Sequence, residues 1–581
     1  MSQMYSILYD WGLVAVMNIY FKNPIWPNRN IVGIILTAIF LSSFSLSEAS
    51  INSSDEIIGR NKLVITGSEF YRRSQFDAGE IRIFFKNAGK GTISICQPRL
   101  SMLLDVKDNE LHKAGTEVDY LYSKFTPPVL MPGRNGELLV KLLRSPPNNC
   151  KFQCAIYSET GWVSETLIAI EQAPIWISFV GFSEDLSKIY VYGQNNTEKP
   201  LTIRLLEVAG VNVGDNYQSI NNDLPPGDKG CLVFKMPNRI TLGEYVHIVI
   251  SAESNEQEFQ TRRIVKAVNK FPLSSGGGSF SPKLGLDSRG FFVQGMGCPA
   301  HDHGTHKEAA GKFLDDYYRR FSQDPYFLLQ MWICRADKPR AWYTFGSLPD
   351  AAVMNPVLLV QQTYQSDTKA CEQFCPFFWL ATQAKKAMAP NRFFACIPVN
   401  PENNVFSQSN HTPDEIKFLV YCAIAAGAKG ILYRDTPSFS RLSHDEFVRL
   451  NRELRQLKPL LMMAEPVSWA STADNNYVAR SLLCGDKAIL VIVFDRRYFS
   501  EQQNDRLSTP AFGKAVRAVK TRVNVPEGFA VSEVKSLYTP LLRKLWRCEK
   551  GHLDFTANMV DSVQVYEAIL RCESFVSGVE E

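Results

Sequence analysis

The sequence predicts a multi-domain chain: two β-sandwiches in tandem, a unit of alternating strands and helices on a parallel sheet, and a further β-sandwich. Three observations carry that prediction. Short strand patterns separated by turn residues recur from 62 to about 272. From 283 to 465 the period changes, and amphipathic helices alternate with short apolar runs. After Pro466 the helical pattern stops and strand patterns return. The length of 581 residues fits, since about 150 residues per domain gives roughly four domains.

Composition narrows the class. Apolar residues make up 45% and charged residues 21%, which excludes disordered, collagen-like and coiled-coil chains. Lys and Arg number 63 against 59 Asp and Glu, a net charge of +4. So small an excess leaves no electrostatic footprint for nucleic acid. The 13 cysteines are too dispersed for a disulfide scaffold, and their odd number leaves at least one thiol without an intrachain partner.

The stretch 1–49 reads as a signal peptide or leader. Ile31–Leu41 is apolar apart from Gly33 and Thr37, with Lys22 and Arg29 ahead of it. That run is shorter than the ~20 residues of a spanning helix, and it suits the apolar segment of a secretory signal. Ser47-Glu48-Ala49 supplies the small-x-small cleavage pattern, which places cleavage after Ala49. An uncleaved anchor that tethers the chain to a membrane is the second reading. Either way the expected location is secreted, periplasmic or cell-surface.

Residues 62–173 and 174–272 follow as two Ig-like β-sandwiches. Strand patterns in the first include Leu63–Gly67, Ile81–Phe85 and Glu137–Leu143, with turn signals at Asn87-Ala88-Gly89 and Pro132-Gly133. Those in the second include Ile177–Phe182, Ile189–Gln194 and Tyr245–Ala252. Neither shows a cluster of reactive side chains, so both read as accessory modules. Cys150 and Cys154 are the nearest pair for a disulfide in this part of the chain. Ser274–Ser279, a Gly/Ser run, marks a linker at 273–282.

The region 283–465 alternates. Arg289–Met296, Tyr326–Ile333, Ala351–Asn355, Arg392–Val399 and Gly430–Tyr433 read as strands, and Lys307–Phe321 and Asp367–Met388 as helices. Thr412, Pro413 and Glu415 form a capping box that opens a helix, and Gly427 closes it. Ser443 and Glu446 form a second capping box, ahead of Phe447, Leu450, Leu454 and Leu457 on one face. Such alternation gives a parallel sheet, open or closed, with its chemistry at the carboxyl ends of the strands. That rule selects Asp337, Lys338, Asn400, Glu402, Tyr433, Arg434 and Asp435, and ranks Asp350 lower because it enters a strand.

Three segments bring a family into view. Leu286–Gly295 (LDSRGFFVQG), Asp324–Trp332 (DPYFLLQMW) and Thr412–Tyr433 (TPDEIKFLVYCAIAAGAKGILY) resemble secreted glycoside-hydrolase-like proteins with a (β/α)8 barrel and a trailing β-sandwich. The resemblance spans 283–573, about half the chain. It implies a truncated (β/α)8-type barrel at 283–465, a C-terminal β-sandwich at 466–573, a carbohydrate partner, and hydrolysis of O-glycosidic bonds in polysaccharide or oligosaccharide. It implies no cofactor and no metal. The chain departs from the family at one point: an Asp-Glu-Pro motif is replaced by Asp337-Lys338-Pro339. Lys338 cannot serve as a carboxyl proton donor to a glycosidic oxygen.

The candidate catalytic residues are therefore Asp435 and Glu402, with Asp337 as a remnant of the motif. Trp332, Trp342, Tyr343 and Tyr433 read by default as core, since their apolar bodies fill interiors; as aromatic faces that stack on sugar rings they are also the candidate sugar platforms, with Asn400 as a polar contact. Trp342 and Tyr343 rank highest, on what reads as a polar loop. His301, Asp302, His303 and His306 resemble a metal cluster, but no spacing fixes a further ligand, and a solvated loop is the better reading. Cys371 and Cys375 read as buried thiols on one helix face. Lys338 and the small number of strands favour the alternative: a non-catalytic carbohydrate-binding or surface-interaction protein on a decayed barrel.

Overall fold

The computed structural model describes residues 63–94, 97–104, 116–147, 150–158, 161–169, 172–254, 257–269, 273–275, 291–293, 303–334, 339–355, 375–398, 412–434, 441–497, 517–537, 539–540, 545–549 and 551–572. The expected leader at 1–49, with its apolar run, lies outside them. No helix among the described residues is long and apolar enough to cross a membrane.

Two four-stranded antiparallel sheets come first. One runs Leu63–Tyr71, Glu80–Asn87, Asn135–Leu142, Tyr120–Thr126 in space. The other runs Gly161–Ala169, Cys150–Ser158, Gln97–Leu104, Thr116–Glu117. Ile81, Ile83, Phe85, Leu138, Val140, Phe152 and Ile156 fill the space between them. A second pair follows from Ile175 to Lys266, with its own core of Ile177, Val191, Ile203, Leu232 and Ile248.

The strand Glu80–Asn87 is buried on both faces along most of its length, and so is Asn135–Leu142. The sequence alternates charge with apolar residues in both, which predicts a solvated outer face. Here the parallel-sheet unit covers that face, so Glu80, Arg82, Glu137 and Lys141 are all buried.

The parallel sheet has six described strands: β1 (Leu273–Ser275), β2 (Phe291–Val293), β3 (Gln330–Cys334), β4 (Ala351–Asn355), β5 (Arg392–Pro398) and β6 (Ile431–Arg434). Their spatial order is β1-β6-β5-β4-β3-β2, and every pairing is parallel. That is chain order, except that the first strand lies beside the last. A (β/α) barrel cut between its first two strands has this order. Among the described residues β1 and β2 do not pair, so the sheet is not closed.

Five helices among the described residues accompany it: α1 (His303–Phe321), α2 (Arg340–Phe345), α3 (Pro376–Met388), α4 (Pro413–Ala425) and α5 (Arg441–Leu461). Side chains alternate across a strand, and the two faces are used differently. Met331, Ile333, Ala352, Met354, Phe393, Ala395, Ile397, Ile431 and Tyr433 share one core with buried residues of all five helices. Trp332, Val353, Phe394, Cys396 and Leu432 form a separate layer with Leu328 and Val268, which no helix residue joins. Helices on one face and a separate side-chain layer on the other set this sheet apart from a doubly wound one, which has helices on both faces.

After α5, two more antiparallel sheets pair across the C-terminal sandwich. One contains Tyr477–Cys484, Ala488–Asp495, Val563–Cys572 and Phe529–Ser536; the other contains Arg517–Asn524 and His552–Met559.

Several expectations need correction. The predicted linker at 273–282 begins inside the sheet, because Leu273–Ser275 pairs in parallel with Ile431–Tyr433. Backbone pairing does not require large side chains, so a Gly/Ser-rich run concealed the strand. Cys150 and Cys154 occupy one strand. At ~3.3 Å per residue their Cα atoms are ~13 Å apart, well beyond the ~7 Å limit for a disulfide. His303 and His306 belong to α1 and not to a loop, and His306 packs edge-on against Phe345 at 5.4 Å. Ser443 lies inside α5, which starts at Arg441. Among the described residues no group of His, Cys, Asp and Glu is placed to hold a metal.

The ends of α4 follow the sequence closely. Thr412 accepts from the Glu415 backbone N–H at 3.2 Å, and the Glu415 carboxylate accepts from the Thr412 N–H at 2.6 Å. At the other end Gly427 N–H donates to the Ile424 carbonyl and Ala428 N–H to the Ala423 carbonyl, a Schellman closure. Gly427 has φ +101°, and a Cβ there would meet Pro466 Cγ at 3.0 Å. Thr412→Ala is expected to cost about 1 kcal/mol. Gly427→Ala is expected to cost at least about 1–2 kcal/mol, from left-handed backbone strain with crowding added. Urea unfolding of the two variants checks both values.

Candidate active face of the parallel sheet

The two edges of the parallel sheet differ in kind. At the carboxyl edge, Asp337 follows the end of β3 by three residues, Asn400 and Glu402 follow β5 by two and four, and Asp435 directly follows β6. All four lie outside the described residues, as do Asp302, Lys338 and Cys371.

The aromatic candidates are described, and their places correct the expectation. Trp342 and Tyr343 sit in α2 and are buried, 0% and 1% exposed. Arg340-Ala-Trp-Tyr-Thr-Phe folds as a helical turn that packs onto α3, so the run that reads as a polar loop is core. Tyr343 donates to Gln383 Oε1 at 2.9 Å, and burial pushes its phenol up to about 12. Tyr433 points into the helix layer, because Leu432 takes the opposite face. Trp332 belongs to the inner layer and is 6% exposed. None of the four presents an open stacking face. Cys375 caps α3 and is buried, as expected.

The amino edge is described in detail, and it is held by buried charge. Asp350 precedes β4; its carboxylate accepts from Leu329 N–H at 2.9 Å and pairs with Lys266 at 3.3 Å. Burial lowers the Lys266 pKa, and Asp350 opposes that shift. Lys124 of the first sandwich donates to the Leu348 carbonyl at 2.6 Å, and burial pushes its amine down to about 8. Arg392 opens β5, donates to the Val268 carbonyl, and is pushed by burial down to about 9. A void of about 40 Å³ among Lys124, Glu137, Lys266, Asp350 and Arg392 has room for about one water.

Beside it lies a second cluster. Glu465 is fully buried and pairs with Lys229 at 2.8 Å and Lys385 at 3.0 Å. Lys429 stands just ahead of β6, donates to the Leu461 carbonyl at 3.3 Å, and contributes to the same field. Burial alone would raise the Glu465 pKa; Lys229, Lys385 and Lys429 outweigh it and hold the carboxyl down to about 2. The Phe179 ring carries Lys429 at 4.1 Å, Lys385 at 4.8 Å and Arg392 at 5.7 Å. A third group links Arg73, Glu80, Arg82 and Glu137, with Ser347 donating to Glu80 at 2.8 Å.

Sequence reasoning missed these ionic groups apart from the low rank given to Asp350. The signal was present: Glu80 and Arg82 in EIRIFF, and Lys141 in LLVKLL, place charge within strongly apolar strands. The arrangement positions and seals the amino edge. In barrels that edge serves stability, and chemistry belongs to the opposite one.

No known protein family matches the chain, and no curated protein does. Solved structures similar to parts of it are distant. A glycoside hydrolase family 5 protein from Bacteroides vulgatus is 12% identical with a TM-score of 0.26, covering 46% of this chain and 60% of that one. The N-terminal Ig1-2 module of the Drosophila receptor protein tyrosine phosphatase DLAR is 15% identical at a TM-score of 0.16, covering 34% and 96%. The archaellum periplasmic stator protein FlaG from Sulfolobus acidocaldarius is 16% identical at 0.15, covering 19% and 99%. At these scores the similarities carry no functional argument.

The Glu465 cluster sets an acid limit on stability. Its folded pKa of about 2 lies below the ordinary 4.5, so its contribution is complete above about pH 4.5 and disappears as pH falls toward 2. Glu465→Gln is expected to destabilise the protein by roughly 3–5 kcal/mol at pH 7 by leaving lysines without a counter-charge. It is also expected to flatten the loss of stability between pH 4.5 and 2. Urea midpoints measured across pH for both proteins check the two effects.

Proposed function

We propose that this chain is a secreted glycoside-hydrolase-like protein that acts on O-glycosidic bonds of polysaccharide or oligosaccharide at the carboxyl edge of its parallel sheet. The observation that supports it most is the order of that sheet. Six parallel strands follow barrel order, helices cover one face, and three acids follow strand ends in the sequence.

Asp435 and Glu402 are the proposed pair. They follow β6 and β5, which are neighbours. Adjacent strands lie about 4.8 Å apart, so carboxylates on their trailing segments fall within reach of the 5–5.5 Å spacing of retaining enzymes or the 6.5–9.5 Å spacing of inverting ones. One carboxyl protonates the leaving oxygen and the other acts as nucleophile or base. Asp337 follows β3, two strands from β5, and Lys338 beside it supplies no proton-donating carboxyl.

A second reading is a carbohydrate-binding protein on a barrel that has lost its catalysis; Lys338 favours it, as does the lack of a β1–β2 pairing among the described residues. Reducing-end release from a panel of polysaccharides separates the two. The hydrolase reading expects release by the native chain, and a fall of about 10²–10⁴-fold in kcat for Asp435→Asn and for Glu402→Gln. Asp337→Asn is expected to retain most activity. Binding of a polysaccharide in affinity electrophoresis with no release would move the assignment to the binding reading. Absence of both release and binding would remove both.

A further inference from the structure

The cavity where the two N-terminal sandwiches meet α3 is built differently from the rest of the interior. Its volume is about 200 Å³, roughly seven water volumes at ~30 Å³ each. Four polar atoms of its lining residues lack a hydrogen-bond partner, and one of them, Glu465 Oε2, is an acceptor that pairs ionically with Lys385 at 3.0 Å. The Trp176 indole N–H, the Asn196 amide nitrogen and Arg263 Nε line it, are shielded from solvent, and have no hydrogen-bond partner. All three are donors. Arg263 itself is only 3% exposed, and its Nη1 donates to Glu69 and to the Arg262 carbonyl.

The charges point the same way. Lys229, Lys385 and Glu465 line the wall with Lys429 behind them; burial pushes the Lys385 and Lys429 amines down, and Glu465 opposes both shifts. Arg73 and Arg263, also in the wall, are balanced by Glu80 and Glu69. Glu465 is the one acid in the cavity lining, and the exposed Lys386 stands at its rim. Unsatisfied buried donors are costly, and buried positive charge without a counter-ion is costlier. A ligand that supplies acceptors and negative charge relieves both.

We infer that this junction is a binding site for a small oxyanion: inorganic phosphate or sulfate, or the carboxylate of an organic acid no larger than a monosaccharide. The Trp176 N–H, Asn196 amide and Arg263 Nε donate to its oxygens, and the lysine excess balances its charge. Each of the three bodies around the cavity contributes to the wall: Tyr71 and Arg73 from the first sandwich, Trp176 and Lys229 from the second, Lys385 and Ala389 from α3 and its end. Occupancy therefore fastens the three together. The inference is independent of the carbohydrate reading.

The test uses the full chain at constant ionic strength, with sodium chloride as the reference salt. Thermal unfolding is followed during titration with phosphate, sulfate, acetate and D-glucuronate. The expected result is a saturable rise in Tm with at least one of them and none with chloride. Phosphate or sulfate alone points to an inorganic ion, and glucuronate above acetate points to an acid sugar. The double variant Trp176→Phe/Asn196→Ala is expected to weaken that binding at least tenfold. Equilibrium dialysis of the native chain against the same ions gives a second readout that does not depend on the variant folding. No saturable binding of any of the four by dialysis overturns the inference, and so does an unchanged affinity in a folded double variant.

Discussion

One buried carboxylate sets the arrangement of three parts of this molecule. Glu465 opens the C-terminal sandwich, Lys229 belongs to the second sandwich, Lys385 to α3, and Lys429 to the turn that feeds β6. A buried ion pair is weak evidence for net stability, since desolvation offsets most of the Coulombic gain. Its effect is on alternatives. Any other docking of the sandwich against the sheet leaves a charge in the interior without a partner, at a cost of several kcal/mol. Phe179 adds direction, because its ring face receives cations that all come from the parallel-sheet unit. The second sandwich is thereby held in one orientation. Tyr192 extends the contact, donating to the Met463 carbonyl at 2.6 Å while it accepts from Gly485 N–H at 2.9 Å.

The same chemistry divides the labour between the two edges of the sheet. Lys124, Lys266, Asp350 and Arg392 commit the amino edge to holding the first and second sandwiches. Tyr122 donating to the Thr344 carbonyl at 2.8 Å belongs to that commitment. Groups so deeply paired have no freedom to meet a substrate. A sheet fixed at one edge leaves the other edge to its loops, where the fold can vary sequence without disturbing the core. The sandwiches are structural members of the sheet unit, tied to it by buried ion pairs and hydrogen bonds.

How much of this was legible in the sequence depends on the range of the interaction. The α4 capping box at Thr412 and Glu415, its closure at Gly427, and the strand Ala351–Asn355 were readable because each is decided by neighbours in the chain. The alternation of the sheet was readable for the same reason. What failed was decided by distant partners. Trp342 and Tyr343 read as a polar loop beside Arg340, yet α3 buries them. Ile81–Phe85 was readable as a strand, but the sheet unit's cover over its second face was not. Leu273–Ser275 carries a weak strand pattern, and only its pairing with β6 makes it one. The candidate acids were legible as positions after strand ends, which is a statement about topology and not about their side chains.

Among the described residues β1 and β2 do not pair with each other, and four strands stand between them. Among the described side chains, the inner layer of Trp332, Val353, Phe394, Cys396 and Leu432 draws on the four central strands, with Leu328 and Val268 beside them. The sheet keeps the order of a barrel while its cohesion rests on the central strands, the helix layer and the charged junction at the amino edge.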